Sequence, residues 1–219
     1  MIEASGIRYS YSRQGFELKV GELKVEQGSS SVILGPSGSG KTTLLRLLSG
    51  IVVPQAGRLS IDGLEIPTLS ESARRRFRQR RVGFVFQKFE LLDYLSVRDN
   101  ILLPYRLGGD LRLDDQVKAR CLSLLDSVDL SEKADRKVTL LSEGERQRVA
   151  ICRALIARPA LVLADEPTGN LDSENAARAM QLLIDAAADN EATLLVVTHQ
   201  EEFSALFQNV FRFLKGELL

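Results

Sequence analysis

The sequence predicts an α/β fold: a largely parallel sheet, an antiparallel β-section at the N-terminus and a helical section in the middle of the chain. Three observations predict it. Residues 160–164 (ALVLA) and 193–197 (TLLVV) are continuous apolar runs, the pattern of strands buried on both faces of a parallel sheet. Between them Ala176, Met180, Leu183, Ile184 and Ala187 recur at helical spacing, and strand, helix, strand in that order is a parallel α/β unit. The first 35 residues instead alternate apolar and polar.

Taken in order, Phe16, Leu18 and Val20, then Leu23 and Val25, predict two paired strands with a turn at Gly21 and Glu22. Ser31 to Leu34 is a short apolar strand that ends in glycine. Leu44, Leu45, Leu47 and Leu48 place a helix over 41–49, closed by Gly50. Arg58 to Asp62 alternates again and meets Asp62-Gly63, a hairpin signal. Periodicity makes residues 88–158 mostly helical, and Val210 to Leu214 strand-like.

Composition narrows the function classes. The 219 residues suffice for one domain, or one domain with a subdomain. Lys and Arg number 29, Asp and Glu 29, so the net charge is zero, which argues against a generic nucleic-acid binder. The N-terminus lacks the apolar region of a signal peptide. No apolar run approaches the roughly 20 residues needed to cross a bilayer, so any service to a membrane is expected from outside the lipid. Cys121 and Cys152 lack metal-ligand spacing, and Cys121 lies on the apolar stripe of Val117, Leu124, Leu125 and Val128. Two reduced core thiols, as in a cytosolic protein, are expected.

The sharpest signal is GPSGSGKT at residues 35–42, which fits G-x-x-x-x-G-K-S/T. Glycines let the backbone curl so that successive N–H groups face phosphate oxygens, and the helix beginning near Lys41 adds the positive end of its dipole. Chance produces such a match in a chain of this length on the order of once in a hundred, and this one lies between a predicted strand and a predicted helix. The candidate nucleotide contacts are Gly35, Ser37, Gly38, Ser39, Gly40, Lys41, Thr42 and Thr43. Lys41 supplies charge for the β- and γ-phosphates, and the Thr42 hydroxyl is a Mg²⁺ ligand. Asp165 and Glu166 end the strand at 160–164, the first as a metal carboxylate and the second as general base for water. His199, the single histidine, follows the strand at 193–197, on the sheet edge where open α/β sheets bind ligands. There it is expected to contact a γ-phosphate.

Leu141 to Arg148 (LSEGERQR) resembles the signature sequence of ATP-binding cassette (ABC) proteins, and with it the whole chain resembles an ABC nucleotide-binding domain. The resemblance implies a P-loop NTPase (RecA-like) fold and one domain over 1–219. Residues 1–86 and 159–219 would form the catalytic core with its antiparallel β-subdomain, and 87–158 the helical subdomain. It also implies binding and hydrolysis of ATP with Mg²⁺. Tyr11 is similar to the aromatic that stacks on adenine, with Tyr9 as runner-up. Gln87, in GFVFQ, is similar to the glutamine that reaches Mg²⁺ and attacking water and links the site to the subdomain touching a membrane partner. Asp172 resembles the loop that speaks across the dimer and also suits a helix N-cap. Ser142 and Gly144 would act in trans, on the γ-phosphate bound to the other chain of a head-to-tail homodimer.

Glu143 stands where the family usually has the first glycine of its signature. A carboxylate there should oppose a nearby γ-phosphate by roughly 1 kcal/mol when solvent-screened. Arg74, Arg75, Arg76, Arg78, Arg80 and Arg81 form a basic run. A solvated helix end is the favoured reading, with lipid headgroups or nucleic acid as alternatives; nearly absent aromatics weaken a single-strand site. One uninterrupted cassette without long heptads resembles a transporter ATPase subunit rather than a translation-type or chromosome-maintenance protein. Such a subunit serves an integral membrane permease on a separate chain, with no nucleic-acid partner, on the cytoplasmic side of the plasma membrane. The run DEPTGNLD at 165–172 and VRDNILLP at 97–104 look like the subgroup of lipoprotein release, macrolide efflux and cell-division signalling. A polar amino-acid importer subunit is the alternative.

Overall fold

A computed structural model describes residues 1–11, 16–108 and 111–218; the chain end at 219 assigned above to the single domain lies outside them. Strand β1 (Ile2–Ser10) pairs antiparallel with β2 (Glu17–Val25) along its length, from Ile2 opposite Val25 to Ser10 opposite Glu17. This corrects the expected turn at Gly21 and Glu22. The buried phase changes from Leu18 and Val20 to Leu23 and Val25 within one continuous strand, and from Ile2 and Ala4 to Ile7 in its partner. Gly6, at φ +59°, lies between the pairs Ser5–Glu22 and Ile7–Val20. The left-handed residue kinks both strands together and lets each return its apolar side chains to the core.

Next come β3 (Ser30–Leu34), α1 (Lys41–Leu48), β4 (Ala56–Ile61) and β5 (Leu64–Glu65). Asp62 and Gly63, both at positive φ, make the expected hairpin turn between the last two. Helix α2 (Glu71–Arg81), capped by Ser70, leads into β6 (Val82–Val85). The arginine run is the body of α2, and it is only partly solvated. Arg74 donates to the Leu69 carbonyl (2.7 Å), Arg78 to the Gly50 carbonyl (2.9 Å), and Arg81 pairs with Asp62 (2.9 Å), whereas Arg75, Arg76 and Arg80 are exposed.

Helices α3 (Val97–Ile101), α4 (Leu103–Arg106), α5 (Asp115–Asp126) and α6 (Glu143–Leu155) follow. Then come β7 (Leu161–Asp165), α7 (Ser173–Asp189), β8 (Thr193–Thr198), β9 (Asn209–Leu214) and β10 (Glu217–Leu218). Among the described residues the strands form one sheet in the order β5-β4-β1-β2-β10-β9-β3-β8-β7-β6. From β9 to β6 it is parallel; β5, β4, β1 and β2 are joined antiparallel at the other end.

Two apolar cores explain the continuous apolar runs. Val32 and Leu34 of β3, with Val162, Ala164, Leu194 and Val196, face α3, α5, α6 and α7. Ile33, with Leu161, Leu163, Leu195 and Val197, faces α1 and the antiparallel strands. Covered on both faces, these strands have no reason to alternate in polarity. Cys121 and Cys152 are buried in the first core. No described helix is long and apolar enough to cross a membrane.

Candidate active site

The parallel strands β3, β7 and β8 end at one edge of the sheet, and that edge carries the chemistry. The Gly35 amide donates to the Thr198 carbonyl (3.1 Å), tying the loop after β3 to the end of β8. Gly40, at φ +111°, opens α1 without a side-chain cap, and the first turn of α1 holds no acid. By contrast α2, α3, α5, α6 and α7 are each capped by a Ser or Asp side chain. A Cβ at Gly40 would lie 2.4 Å from the Phe16 ring, so only glycine fits both the space and the backbone angle. Ser39 is buried, and its Oγ has no hydrogen-bond partner. Free N–H groups at a positive helix end, beside an orphaned hydroxyl, are what a bound phosphate would satisfy.

A cleft of about 300 Å³ opens over this loop. Ser37, Gly38, Gly40, Lys41, Thr42 and Thr43 line one side, Gln87, Asp165 and Glu166 the other, and Phe16 the rim. The Thr42 hydroxyl donates to Asp165 Oδ2 at 2.8 Å. Burial pushes the Asp165 carboxyl above its usual range, against the lowering effect of that hydroxyl. A hydroxyl and a carboxylate this close are oxygen ligands suited to Mg²⁺.

Glu166 follows β7 at φ +45°, a left-handed angle uncommon outside glycine. It is only 8% exposed. Its Oε2 accepts from the Thr198 hydroxyl (3.0 Å), the His199 amide (3.3 Å) and His199 Nδ1 (2.9 Å). Its Oε1 lies 3.2 Å from Lys41 Nζ. Lys41 also donates to the carbonyls of Gly35 (2.6 Å) and Pro36 (3.0 Å). With a carboxylate as acceptor, Nδ1 of His199 carries the proton and the other ring nitrogen is left for a ligand; the side chain is half-exposed.

The other expected residues fall in four places. Gln87 is on the cleft wall, its carbonyl accepting from Asn170 (3.0 Å). Tyr11 is outside the cleft lining: it is 56% exposed, its hydroxyl accepts from Arg46 of α1 (3.1 Å), and its ring meets Tyr9 edge-on at 5.1 Å. Ser142 and Gly144 are also outside the cleft of their own chain. Ser142 caps α6 in a reciprocal box with Glu145, Glu143 is exposed at the first position of the helix, and a Cβ at Gly144 would meet open space. Asp172 is the N-cap of α7, accepting from the Asn175 amide (2.9 Å). Phe16, which the alternating pattern places in a strand, precedes β2 by one residue and lines the cleft; its one visible signal in the sequence is an aromatic at the end of that alternating run.

Residues 18–169, which span the phosphate loop, Gln87, the Ser142 motif and Glu166, match the ABC transporter family. The chain belongs to this ABC family. It is 40% identical over 222 residues to the lipoprotein-releasing system ATP-binding protein LolD 1 of Rhodopirellula baltica, a match covering 100% of this chain and 96% of that protein. The uncharacterized ABC transporter ATP-binding protein YvcR of Bacillus subtilis is 46% identical over 179 residues, 81% of this chain and 68% of YvcR. The macrolide export ATP-binding/permease protein MacB of Bdellovibrio bacteriovorus is 39% identical, over 99% of this chain and 33% of MacB. The LolD 1 and MacB relatives are named for two of the activities of the ABC subgroup that the DEPTGNLD run suggests, lipoprotein release and macrolide export. Among solved structures the ATP-binding cassette MJ0796, a dimer in a post-hydrolysis state bound to ADP and Pi, superposes with a TM-score of 0.86 at 31% identity, over 100% of this chain and 96% of that one. The ABC chain thus shares its whole architecture with a cassette whose solved structure is a dimer.

Proposed function

We propose that this chain is the ATP-binding and hydrolysing subunit of an ABC transporter complex. Two copies close head to tail around ATP and drive a separate integral membrane permease of the lipoprotein-release or macrolide-efflux type, from the cytoplasmic face of the membrane. The observation that carries the reading is the convergence of Lys41, Thr42, Asp165 and Glu166 on one cleft, over the uncapped start of α1. In this reading residues 1–86 and 159–219 are the catalytic core and 87–158 the helical subdomain. Tyr11 stacks on adenine.

The loop amides and Lys41 hold the β- and γ-phosphates, for which Lys41 must turn from the Gly35 and Pro36 carbonyls. Thr42, Asp165 and Gln87 would hold Mg²⁺, which when bound offsets phosphate charge. Glu166, released from Lys41 but still oriented by Thr198 and His199, accepts the proton of the attacking water. His199 presents its free ring nitrogen to the γ-phosphate. Ser142 and Gly144 complete the site of the partner copy, as their place outside their own cleft allows. Catalysis is mainly positioning and charge stabilisation. Phosphate release measured against protein concentration tests this: turnover per chain should rise with concentration. Strict linearity, with no dimer under any ATP condition, contradicts it.

A further inference from the structure

Helix α6 carries the motif offered to a partner copy at its first turn, and two buried polar side chains farther along it hold backbone that adjoins the chain's own cleft residues Glu166 and Gln87. Gln147, fully buried, donates to the carbonyl of Pro167, the residue after Glu166 (3.0 Å). Arg153, 9% exposed, sends its two terminal nitrogens to the carbonyls of Phe89 and Glu90, each at 2.5 Å. Those residues follow Gln87 closely and both hold positive φ, 60° and 48°. Two consecutive left-handed non-glycine residues persist only where their surroundings over-determine them. Asn170 holds the same turn at the Gln87 carbonyl.

Arg153 bonds through both terminal nitrogens to backbone carbonyls and not to a carboxylate. Its charge is met by the two carbonyl dipoles of this turn and, from farther off, by the Glu90 carboxylate. A planar guanidinium fork can hold two carbonyls in fixed relation, which a lysine cannot. From Ser142 to Arg153 the helix runs roughly 16 Å, a rigid rod with the partner-facing motif at one end and the Gln87 turn at the other.

We propose that Arg153 is a positioning residue that makes the Gln87 turn and α6 move as one body, so that nucleotide in a chain's own cleft sets where Ser142 and Gly144 stand for the partner copy. The proposal rests on the ATPase reading above. Nucleotide enters through the loop at 35–42, which Arg153 does not touch. Its loss should therefore spare ATP binding and slow the step that needs both chains.

The test is steady-state ATPase kinetics of the full chain, wild type against Arg153→Lys, Gln87→Ala and the double variant. Arg153→Lys should keep KM for ATP within about twofold and lower kcat about tenfold or more. The double variant should be no slower than Gln87→Ala, because Arg153 acts through that turn. A kcat within about twofold of wild type, or losses that multiply in the double variant, overturns the proposal. A wild-type chain without ATPase activity overturns the reading beneath it instead. Should Arg153→Lys fail to fold, hydrogen exchange on the wild type decides. ATP should slow exchange at residues 87–92 and 143–147 together; slowing at only one of the two segments overturns the proposal.

Discussion

Lys41 and Glu166 form a buried ion pair, Nζ to Oε1 at 3.2 Å. In the proposed mechanism ATP binding separates the lysine that would meet phosphate from the carboxylate that would activate water. Lys41→Met removes one charge-assisted contact to phosphate, so ATP affinity should fall about tenfold to a hundredfold. It also leaves Glu166 buried without its cation, so the nucleotide-free chain should melt lower. Adding Glu166→Gln to Lys41→Met should recover part of that loss. Thermal unfolding of the two single variants and the double variant measures the coupling; additive effects would show that the pair is not coupled.

Asp165 should cost stability where it helps catalysis. Burial raises its pKa, so the folded chain holds this proton more tightly than the unfolded chain does. The stabilising contribution is then complete below the unfolded value of about 3.8 and is lost as pH rises through the raised folded value. At pH 7 without Mg²⁺, Asp165→Asn should melt above wild type, since asparagine can still accept from Thr42. The difference should vanish towards pH 3 to 4. ATPase activity should be lost at every pH. A variant that melts lower than wild type at pH 7 would contradict this.

The two neighbours at the start of α6 should separate stability from closure. Ser142→Ala breaks the capping box and should cost about 1 kcal/mol, or about 2–4 °C in melting temperature for a chain of this size. Glu143→Gly leaves the box intact and removes an exposed charge from the face expected to meet a partner's γ-phosphate. The ATP concentration needed for dimerisation should fall about fivefold. Unchanged dimerisation and unchanged kcat would remove Glu143 from that face.

The two thiols should be silent in the folded protein. Burial pushes Cys121 up to about 11 and Cys152 up to about 12, which leaves almost no thiolate at pH 8. Iodoacetamide at pH 8 should modify neither in the native chain and both after denaturation, as mass spectrometry would show.

Local pattern revealed much of this. The phosphate loop, Asp165 and Glu166 each lie where an apolar strand meets a turn, and β7, α7 and β8 follow from periodicity. The signature at Ser142 lies where a capping box begins a helix. What escaped was long-range or two-sided. A phase change such as that of β2 looks the same whether the chain turns or kinks, and only its pairing with β1 across Gly6 separates the two. Arg153 and Gln147 look like ordinary polar residues of an amphipathic helix, because their partners, Phe89, Glu90 and Pro167, are 20 or more positions away. Phe16 faces the cleft only because β2 brings it beside Gly40.

In the proposed mechanism Glu166 is the base of a site that two chains complete. Light scattering of Glu166→Gln on a sizing column, with and without Mg²⁺-ATP, tests it most directly. The variant should run as a stable dimer with ATP and as a monomer without it, and its phosphate release should be nearly abolished. A variant that stays monomeric at saturating ATP, or that turns over ATP at the wild-type rate, would contradict it.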